Sequence, residues 1–122
     1  MLVVEDETMI AMLIEDMLEE FGYEVAAVAG QLQTALQAVE TSSFDVAIVD
    51  VNIAGQTSYP VADRLAERGV PFAFVTGYGV SGLAEGYDGI PVLQKPFRAE
   101  DLTGLLSDLL RGEPPRPLRD GG

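Results

Sequence analysis

Five polar side chains of types that suit phosphoryl chemistry follow short apolar runs in the sequence. Glu5 and Asp6 follow the first run, Asp50 and Thr76 each end a later one, and Lys95 follows the last. Clustered carboxylates repel one another, so such a cluster is costly unless a cation neutralises it. Mg²⁺ prefers hard oxygen ligands of this kind. A hydroxyl and an ammonium group nearby suit a phosphoryl group, whose transfer needs mainly positioning and charge stabilisation.

The elements that must position these residues alternate between apolar strands and amphipathic helices. Strands are predicted at residues 2–4, 25–29, 46–49, 72–75 and 92–94. Apolar residues at helical spacing predict helices at 9–21, 32–39, 58–69 and 102–110, with Ser58 as the cap of the third. Apolar strands joined by helices predict an α/β fold with a parallel sheet covered on both faces. Ligands bind such sheets at the carboxyl ends of the strands, where the five polar residues fall.

A glycine-rich segment separates the last two predicted strands. It holds Gly77, Gly79, Gly82, Gly86 and Gly89. Each glycine inside a helix costs about 1 kcal/mol relative to alanine, so we expect the fourth helix of the fold to be short or disordered. Beyond residue 111 the chain is rich in proline and glycine. We therefore predict one domain at 1–111 and a disordered tail at 112–122.

Composition excludes several classes of function. The chain of 122 residues has no cysteine and no histidine, which excludes disulfides, thiolate metal sites and a histidine base. Its net charge of −13 disfavours binding to nucleic acid and to anionic membranes, and fits a protein partner or a divalent cation. No apolar run approaches the ~20 residues that span a bilayer, and no signal peptide is readable. We expect a cytoplasmic protein.

The sequence resembles the receiver domain of two-component response regulators. The resemblance covers residues 2 to about 111. It rests on Val-Val-Glu-Asp-Glu at 3–7, Ile-Val-Asp at 48–50, Phe-Val-Thr-Gly at 74–77 and Lys-Pro-Phe at 95–97. It implies a flavodoxin-like (βα)5 doubly wound sheet of five strands. It also implies a Mg²⁺-dependent switch that a sensor histidine kinase phosphorylates, rather than a dedicated enzyme.

The resemblance assigns a role to each of the three carboxylates at the strand ends. Asp50 is implied to be the phosphoacceptor. Glu5 and Asp6 belong to the acidic pocket, with Asp6 the more direct metal ligand. The backbone carbonyl of Asn52, two residues beyond the acceptor, is implied to complete the metal site together with Asp50.

The remaining motifs are implied to sense the phosphoryl group. Thr76 is expected to be the switch hydroxyl and Lys95 the lysine that contacts a phosphoryl oxygen. The resemblance also implies a cis Lys95–Pro96 peptide bond, a geometry that is almost confined to positions before proline.

One position departs from the usual receiver pattern. Most receivers carry a tyrosine or phenylalanine three residues before the lysine, and Val92 stands there. The segment Phe-Val-Thr-Gly-Tyr at 74–78 is similar to the Phe-Ala-Thr-Gly-Tyr motif of a subgroup of single-domain receivers that lacks this aromatic switch. We hypothesise that Tyr78 and the glycine-rich loop carry the signal instead. The subgroup is associated with histidine kinases of the HWE and related types.

Parts of this motif pattern also occur in other classes of protein. Taken singly, each motif is an ordinary cap, turn or strand end, and only the joint pattern carries weight. Haloacid-dehalogenase-type phosphatases use a similar set of residues, but they place a second aspartate where Asn52 stands. A flavodoxin-like cofactor binder is disfavoured because the acidic loop at 5–8 would repel phosphate. A receiver that binds partners without phosphorylation stays open, and so do the downstream target and a role as a phosphate sink.

Overall fold

Short apolar segments form a parallel sheet, and amphipathic segments form the helices between its strands. A computed structural model describes residues 1–77, 90–95 and 97–110 of the chain. Within these ranges the strands are β1 (Leu2–Val4), β2 (Ala27–Ala29), β3 (Ala47–Asp50), β4 (Asn52–Ile53), β5 (Gln56–Thr57), β6 (Phe72–Thr76) and β7 (Val92–Gln94). The helices are α1 (Thr8–Glu20), α2 (Leu32–Thr41), α3 (Tyr59–Glu67) and α4 (Ala99–Leu110).

The main sheet has the strand order β2-β1-β3-β6-β7, and all of its pairs are parallel. The first strand is therefore internal, and the chain winds outward from it in both directions. The register sets Val4 beside Val49 and Asp50 beside Val75. The predicted five-stranded parallel sheet is confirmed, and its order brings the ends of β1, β3 and β6 together.

Alternate residues of each strand enter two separate cores. Leu2, Val49 and Phe74 lie in the core on one face, with α2 and α3. Val3 and Ile48 lie in the core on the other face, with α1 and α4. Burying such a side chain fully contributes about 1.5–3 kcal/mol, so both faces stabilise the sheet that carries the polar strand ends.

Ser58 is placed differently from the sequence prediction. It does precede α3, and Pro60 occupies the first turn of that helix, where proline is tolerated. However, the Ser58 side chain makes no capping hydrogen bond. Its Oγ is buried and has no hydrogen-bond partner among the described residues. The prediction of a side-chain cap was therefore wrong, because the buried hydroxyl makes no hydrogen bond to the free amides of the helix.

A small hairpin between β3 and α3 was not predicted. Strands β4 and β5 pair antiparallel around a two-residue turn. Ala54 has φ 51° and Gly55 has φ 83°, so both turn residues are left-handed, as in a type I′ hairpin. Glycine adopts this conformation freely, whereas alanine does so at a cost. The hairpin holds Asn52 directly beyond the end of β3.

Three structural expectations fall largely or wholly outside the described residues. Most of the glycine-rich segment lies at 78–89, the proposed cis-proline is Pro96, and the predicted tail begins at residue 112. These remain predictions, as does the domain boundary at 111. Of the helices in the described ranges, none combines the length and the apolar character needed to cross a bilayer.

Candidate functional site

A cavity lies at the carboxyl ends of the central strands. Its volume is about 590 Å³, and Asp6, Asp50, Thr76 and Lys95 line it. Asp50 ends β3, Thr76 ends β6, and the other two residues lie just beyond β1 and β7. These residues come together because parallel strands present their carboxyl ends at one edge of the sheet.

Three carboxylates form an acidic cluster at this edge. Glu5, Asp6 and Asp50 each place an oxygen within 4.8 Å of the others. Glu5 and Asp50 are buried, with 3% and 7% of their surface exposed, whereas Asp6 is exposed. Two buried carboxylates at this spacing need a positive charge between them.

Lys95 supplies that positive charge. Its Nζ donates a hydrogen bond of 2.8 Å to Oδ2 of Asp50 and one of 3.0 Å to Oε1 of Glu5. The backbone amide of Lys95 donates to the carbonyl oxygen of Thr76 at 2.8 Å, which joins the ends of β6 and β7. The lysine is thus held in the site by its main chain as well as by its ammonium group.

Each carboxylate also accepts a hydrogen bond from a nearby backbone amide. The amide of Glu7 donates to Oε2 of Glu5 at 3.0 Å. The amide of Asn52 donates to Oδ1 of Asp50 at 3.2 Å, and that of Ala54 donates to Oδ2 of Asp6 at 3.0 Å. Hydrogen bonds to a charged group are stronger than neutral ones, so these amides fix the orientation of the cluster.

The electrostatics of the cluster shift two pKa values. Burial, together with the contact to the Asp50 carboxylate, raises the pKa of Glu5 from its ordinary value of 4.5 to about 7. The Glu7 amide and Lys95 oppose this shift without cancelling it. Burial lowers the pKa of Lys95, but its hydrogen bonds to Asp50 and Glu5 outweigh that effect and leave the pKa raised. Lys95 is therefore a fixed cation at neutral pH.

The acidic cluster fits a divalent metal ion. Carboxylate oxygens from Glu5, Asp6 and Asp50 are hard ligands, and they converge closely enough to share one ion. Asp6 is the exposed member, so it borders the side from which a hydrated ion arrives. These donors suit Mg²⁺, which usually keeps several of its waters.

Thr76 and Asn52 both line the cavity. Thr76 is buried, with 3% of its surface exposed, and it lines the cavity beside Asp50. Asn52 is exposed, and its Oδ1 accepts a hydrogen bond of 3.2 Å from the amide of Gly55. The Asn52 side chain thus supports the hairpin turn, and the role of its backbone carbonyl remains a prediction.

The positions proposed for signalling are only partly described. Tyr78 lies outside the described residues, as does Pro96. Val92 is buried in β7 and pairs with Phe74 of β6. A small aliphatic side chain therefore occupies this position in the core.

Some residues that line the cavity were not predicted from the sequence, among them two on or near α3. Thr57 and Tyr59 enclose it next to Asn52. Tyr59 begins α3, and its ring centroid lies 5.9 Å from that of Phe74. The chain topology could have predicted that Tyr59 lies near the site, because the helix that follows a parallel strand begins near the carboxyl end of that strand.

Comparison with known proteins identifies the family. Residues 1–107 match the response regulator receiver domain, and the chain belongs to that family. The transcriptional regulatory protein PdtaR of Mycobacterium tuberculosis is 31% identical over 105 residues. That match covers 83% of this chain and 51% of PdtaR. The chain thus spans about half the length of this relative.

Solved structures share the fold. The solution structure of SdrG from Sphingomonas melonis is similar with a TM-score of 0.80 and 41% identity, and the match covers 89% of this chain and 93% of SdrG. The receiver domain of PhyR from Erythrobacter litoralis also has a TM-score of 0.80, at 27% identity, over 96% of this chain and 94% of that domain. A structure of SdrG in its BeF3-activated conformation matches with a TM-score of 0.77.

Proposed function

We propose that the protein accepts a phosphoryl group on Asp50 from a phosphohistidine of a sensor histidine kinase, in a Mg²⁺-dependent reaction. The observation that carries the proposal is the position of Lys95 Nζ, in contact with both Asp50 and Glu5 while Thr76 borders the same cavity. These residues supply a nucleophilic carboxylate together with a fixed cation and a hydroxyl, and phosphoryl transfer depends mainly on such positioning and charge stabilisation.

The residues divide the chemistry between them. An oxygen of Asp50 bonds to phosphorus, and the bond between phosphorus and the histidine nitrogen breaks with its electrons passing to that nitrogen. Lys95 stabilises the charge on the phosphoryl oxygens, and the Thr76 hydroxyl donates a hydrogen bond to another of them. Bound Mg²⁺, held by Glu5, Asp6, Asp50 and the carbonyl of Asn52, would shield the phosphoryl charge from the attacking carboxylate. None of these steps needs a histidine in the receiver itself.

An apolar surface beside the cavity supports a protein as phosphodonor. Met9, Met12 and Leu13 lie on α1 with 83%, 56% and 52% of their surface exposed. Glu7, which immediately precedes α1, lines the cavity. A kinase surface that covers these side chains would bring its phosphohistidine close to Asp50.

We further propose that the chain is a single-domain switch of the Phe-Ala-Thr-Gly-Tyr type, acting in the cytoplasm and not as a dedicated enzyme. Val92 in place of the usual aromatic residue supports this assignment. Phosphorylation adds about −1.5 to −2 units of charge, which would draw Thr76 toward the phosphoryl oxygens and reorder the segment around Tyr78. The output would be protein contact or removal of phosphoryl groups from a shared kinase, and an HWE-type kinase is the partner to test first.

Intact-mass measurement tests phosphoryl acceptance. The protein is incubated with acetyl phosphate and Mg²⁺, and the mass gain is compared among wild type, Asp50→Ala and Asp45→Ala. Asp45 is an exposed aspartate before β3, so its variant controls for loss of a carboxylate elsewhere. We expect one phosphoryl group on wild type and on Asp45→Ala, and none on Asp50→Ala. An unlabelled wild type, or equal labelling of all three proteins, would refute the proposal.

A further inference from the structure

Tyr59 borders the phosphorylation cavity without a part in the chemistry above. It lines that cavity together with Asp50 and Thr76. Its ring meets Phe74 edge to face, with an angle of 89° between the ring planes. Phe74 is fully buried and meets Phe72 in the same manner, with ring centroids 5.5 Å apart. The half-buried Tyr59 ring is therefore the outermost member of an aromatic row that runs from the core to the cavity.

The backbone holds this ring in place. Tyr59 is the first residue of α3, and Pro60 restricts the chain directly after it. The next turns of α3 are anchored by Val61 and Leu65, both fully buried. The contact with a buried phenylalanine stabilises this position of the ring, because an edge-to-face aromatic pair contributes about 0.5–1.5 kcal/mol beyond the area it buries.

We propose that the Tyr59 ring limits the access of water to the phosphorylated Asp50 and so lengthens the lifetime of that state. This proposal rests on phosphoryl acceptance by Asp50. In hydrolysis a water oxygen bonds to phosphorus while the bond from phosphorus to the Asp50 oxygen breaks, and its electrons return to the carboxylate. Inorganic phosphate leaves carrying the water oxygen, and the water protons stay on phosphate or pass to bulk water. The aromatic ring of Tyr59 lines the cavity, and its apolar face would exclude water from part of the approach to phosphorus.

A purely structural role of Tyr59 makes a different prediction. If the ring only packs against Phe74, its removal lowers the thermal stability and leaves the rate of hydrolysis unchanged. If the ring excludes water, the rate of phosphoryl loss rises while the rate of phosphorylation by a small donor changes little. The phenol hydroxyl is not required, so Tyr59→Phe retains the wild-type lifetime.

The experiment follows loss of the phosphoryl group after acetyl phosphate is removed, with intact mass as the readout and Mg²⁺ present throughout. The variants are Tyr59→Leu, Tyr59→Phe and the control Tyr23→Leu. Tyr23 is also half-buried, but it packs in the core on the opposite face of the sheet. We expect Tyr59→Leu to lose its phosphoryl group about threefold faster or more, with the other two variants unchanged.

The outcomes separate the two proposals. If wild type is not phosphorylated, the proposed function fails. If wild type is phosphorylated and Tyr59→Leu has the same lifetime, the role of Tyr59 is refuted while the function stands. Equal acceleration in Tyr59→Leu and Tyr23→Leu also refutes it, because the effect is then one of general stability. Should Tyr59→Leu fail to fold, Tyr59→Met replaces it with the same expectation, since a flexible thioether fills the core contact without forming a rigid wall.

Discussion

Lys95 Nζ lies 2.8 Å from Oδ2 of Asp50 and 3.0 Å from Oε1 of Glu5, so one ammonium group bridges two buried carboxylates. The same carboxylates form the acidic cluster that fits a divalent cation. Lysine and metal therefore act on shared ligands, and each must lower the affinity of the site for the other. This competition leads to a direct prediction.

Replacing Lys95 should separate metal binding from phosphorylation. In Lys95→Met the positive charge beside the cluster is lost, and we expect Mg²⁺ to bind roughly fivefold tighter or more, since the repulsion between two unit charges about 4 Å apart is about 1 kcal/mol even at the dielectric constant of water. The rate of labelling by acetyl phosphate should fall roughly a hundredfold, because a charged contact to the phosphoryl group is gone. Calorimetry measures the first quantity and intact mass the second.

Arg98→Met provides the matched control for charge. Arg98 is an exposed cation three residues away, and the described side chains of the acidic cluster make no hydrogen bond to it. It should leave both quantities near their wild-type values. Weaker Mg²⁺ binding in Lys95→Met would contradict the view that lysine and metal compete.

Glu5 should make stability depend on pH in the metal-free protein. Its pKa is about 7 in the fold, against an ordinary value of 4.5, so the fold favours the protonated carboxyl. The stabilisation from Glu5 is complete below about pH 4.5 and is lost as the pH rises through about 7. Glutamine does not ionise, so Glu5→Gln does not lose stability in this way as the pH rises. Its free energy of unfolding in urea should therefore rise relative to wild type across that window, and a constant difference would contradict the assignment.

Ser58→Ala distinguishes an orphan hydroxyl from a helix cap. Removing a capping serine costs about 1 kcal/mol, whereas removing a buried hydroxyl that lacks a hydrogen bond is neutral or stabilising by up to about 1 kcal/mol. Because the described residues provide no partner for Ser58 Oγ, we expect the second result in urea denaturation. A loss of about 1 kcal/mol would restore the capping role that the sequence predicted.

Ala54→Gly should stabilise the hairpin beside the site. Alanine at φ 51° carries a backbone strain of about 1 kcal/mol or more, which glycine relieves. Glycine also makes the unfolded chain more flexible, which costs about 0.4–1 kcal/mol of stability. We therefore expect the free energy of unfolding to rise by about 0.5 kcal/mol. Gly69→Ala is the reciprocal control. Gly69 has φ 72° and open space where the methyl group of an alanine would lie, so that variant should show a net loss of about 0.5–1 kcal/mol, because the backbone strain exceeds the gain from a less flexible unfolded chain. Loss of stability in Ala54→Gly would show that its backbone is not strained.

The residues that the sequence predicted best are those at strand ends. Asp50 and Thr76 each end a run of buried apolar residues, and Lys95 follows the buried pair Val92 and Leu93 after one exposed residue. Such runs predict strands from the local sequence alone. In a parallel sheet the end of every strand points to one edge, so local patterns were enough to predict a long-range cluster. The acidic cluster and the cavity lie where this logic places them.

The features that were missed depend on tertiary contacts. Nothing local to Ala54 marks a left-handed turn, because alanine rarely adopts that conformation. In the sequence, Tyr59 is an ordinary position of an amphipathic helix. Its contact with Phe74 arises only when α3 packs beside β6 in the folded chain. Likewise, Ser58 is a residue type that often caps helices, and only the packing of the fold buries it.

Reductive trapping tests the central claim most directly. The protein is incubated with acetyl phosphate and Mg²⁺ and then treated with borohydride, which reduces an aspartyl phosphate to homoserine. Peptide mass spectrometry then locates the altered residue. We predict homoserine at Asp50, with Glu5 and Asp6 unchanged. Conversion at another carboxylate while Asp50 stays intact, or no conversion in the presence of both reagents, would contradict the account.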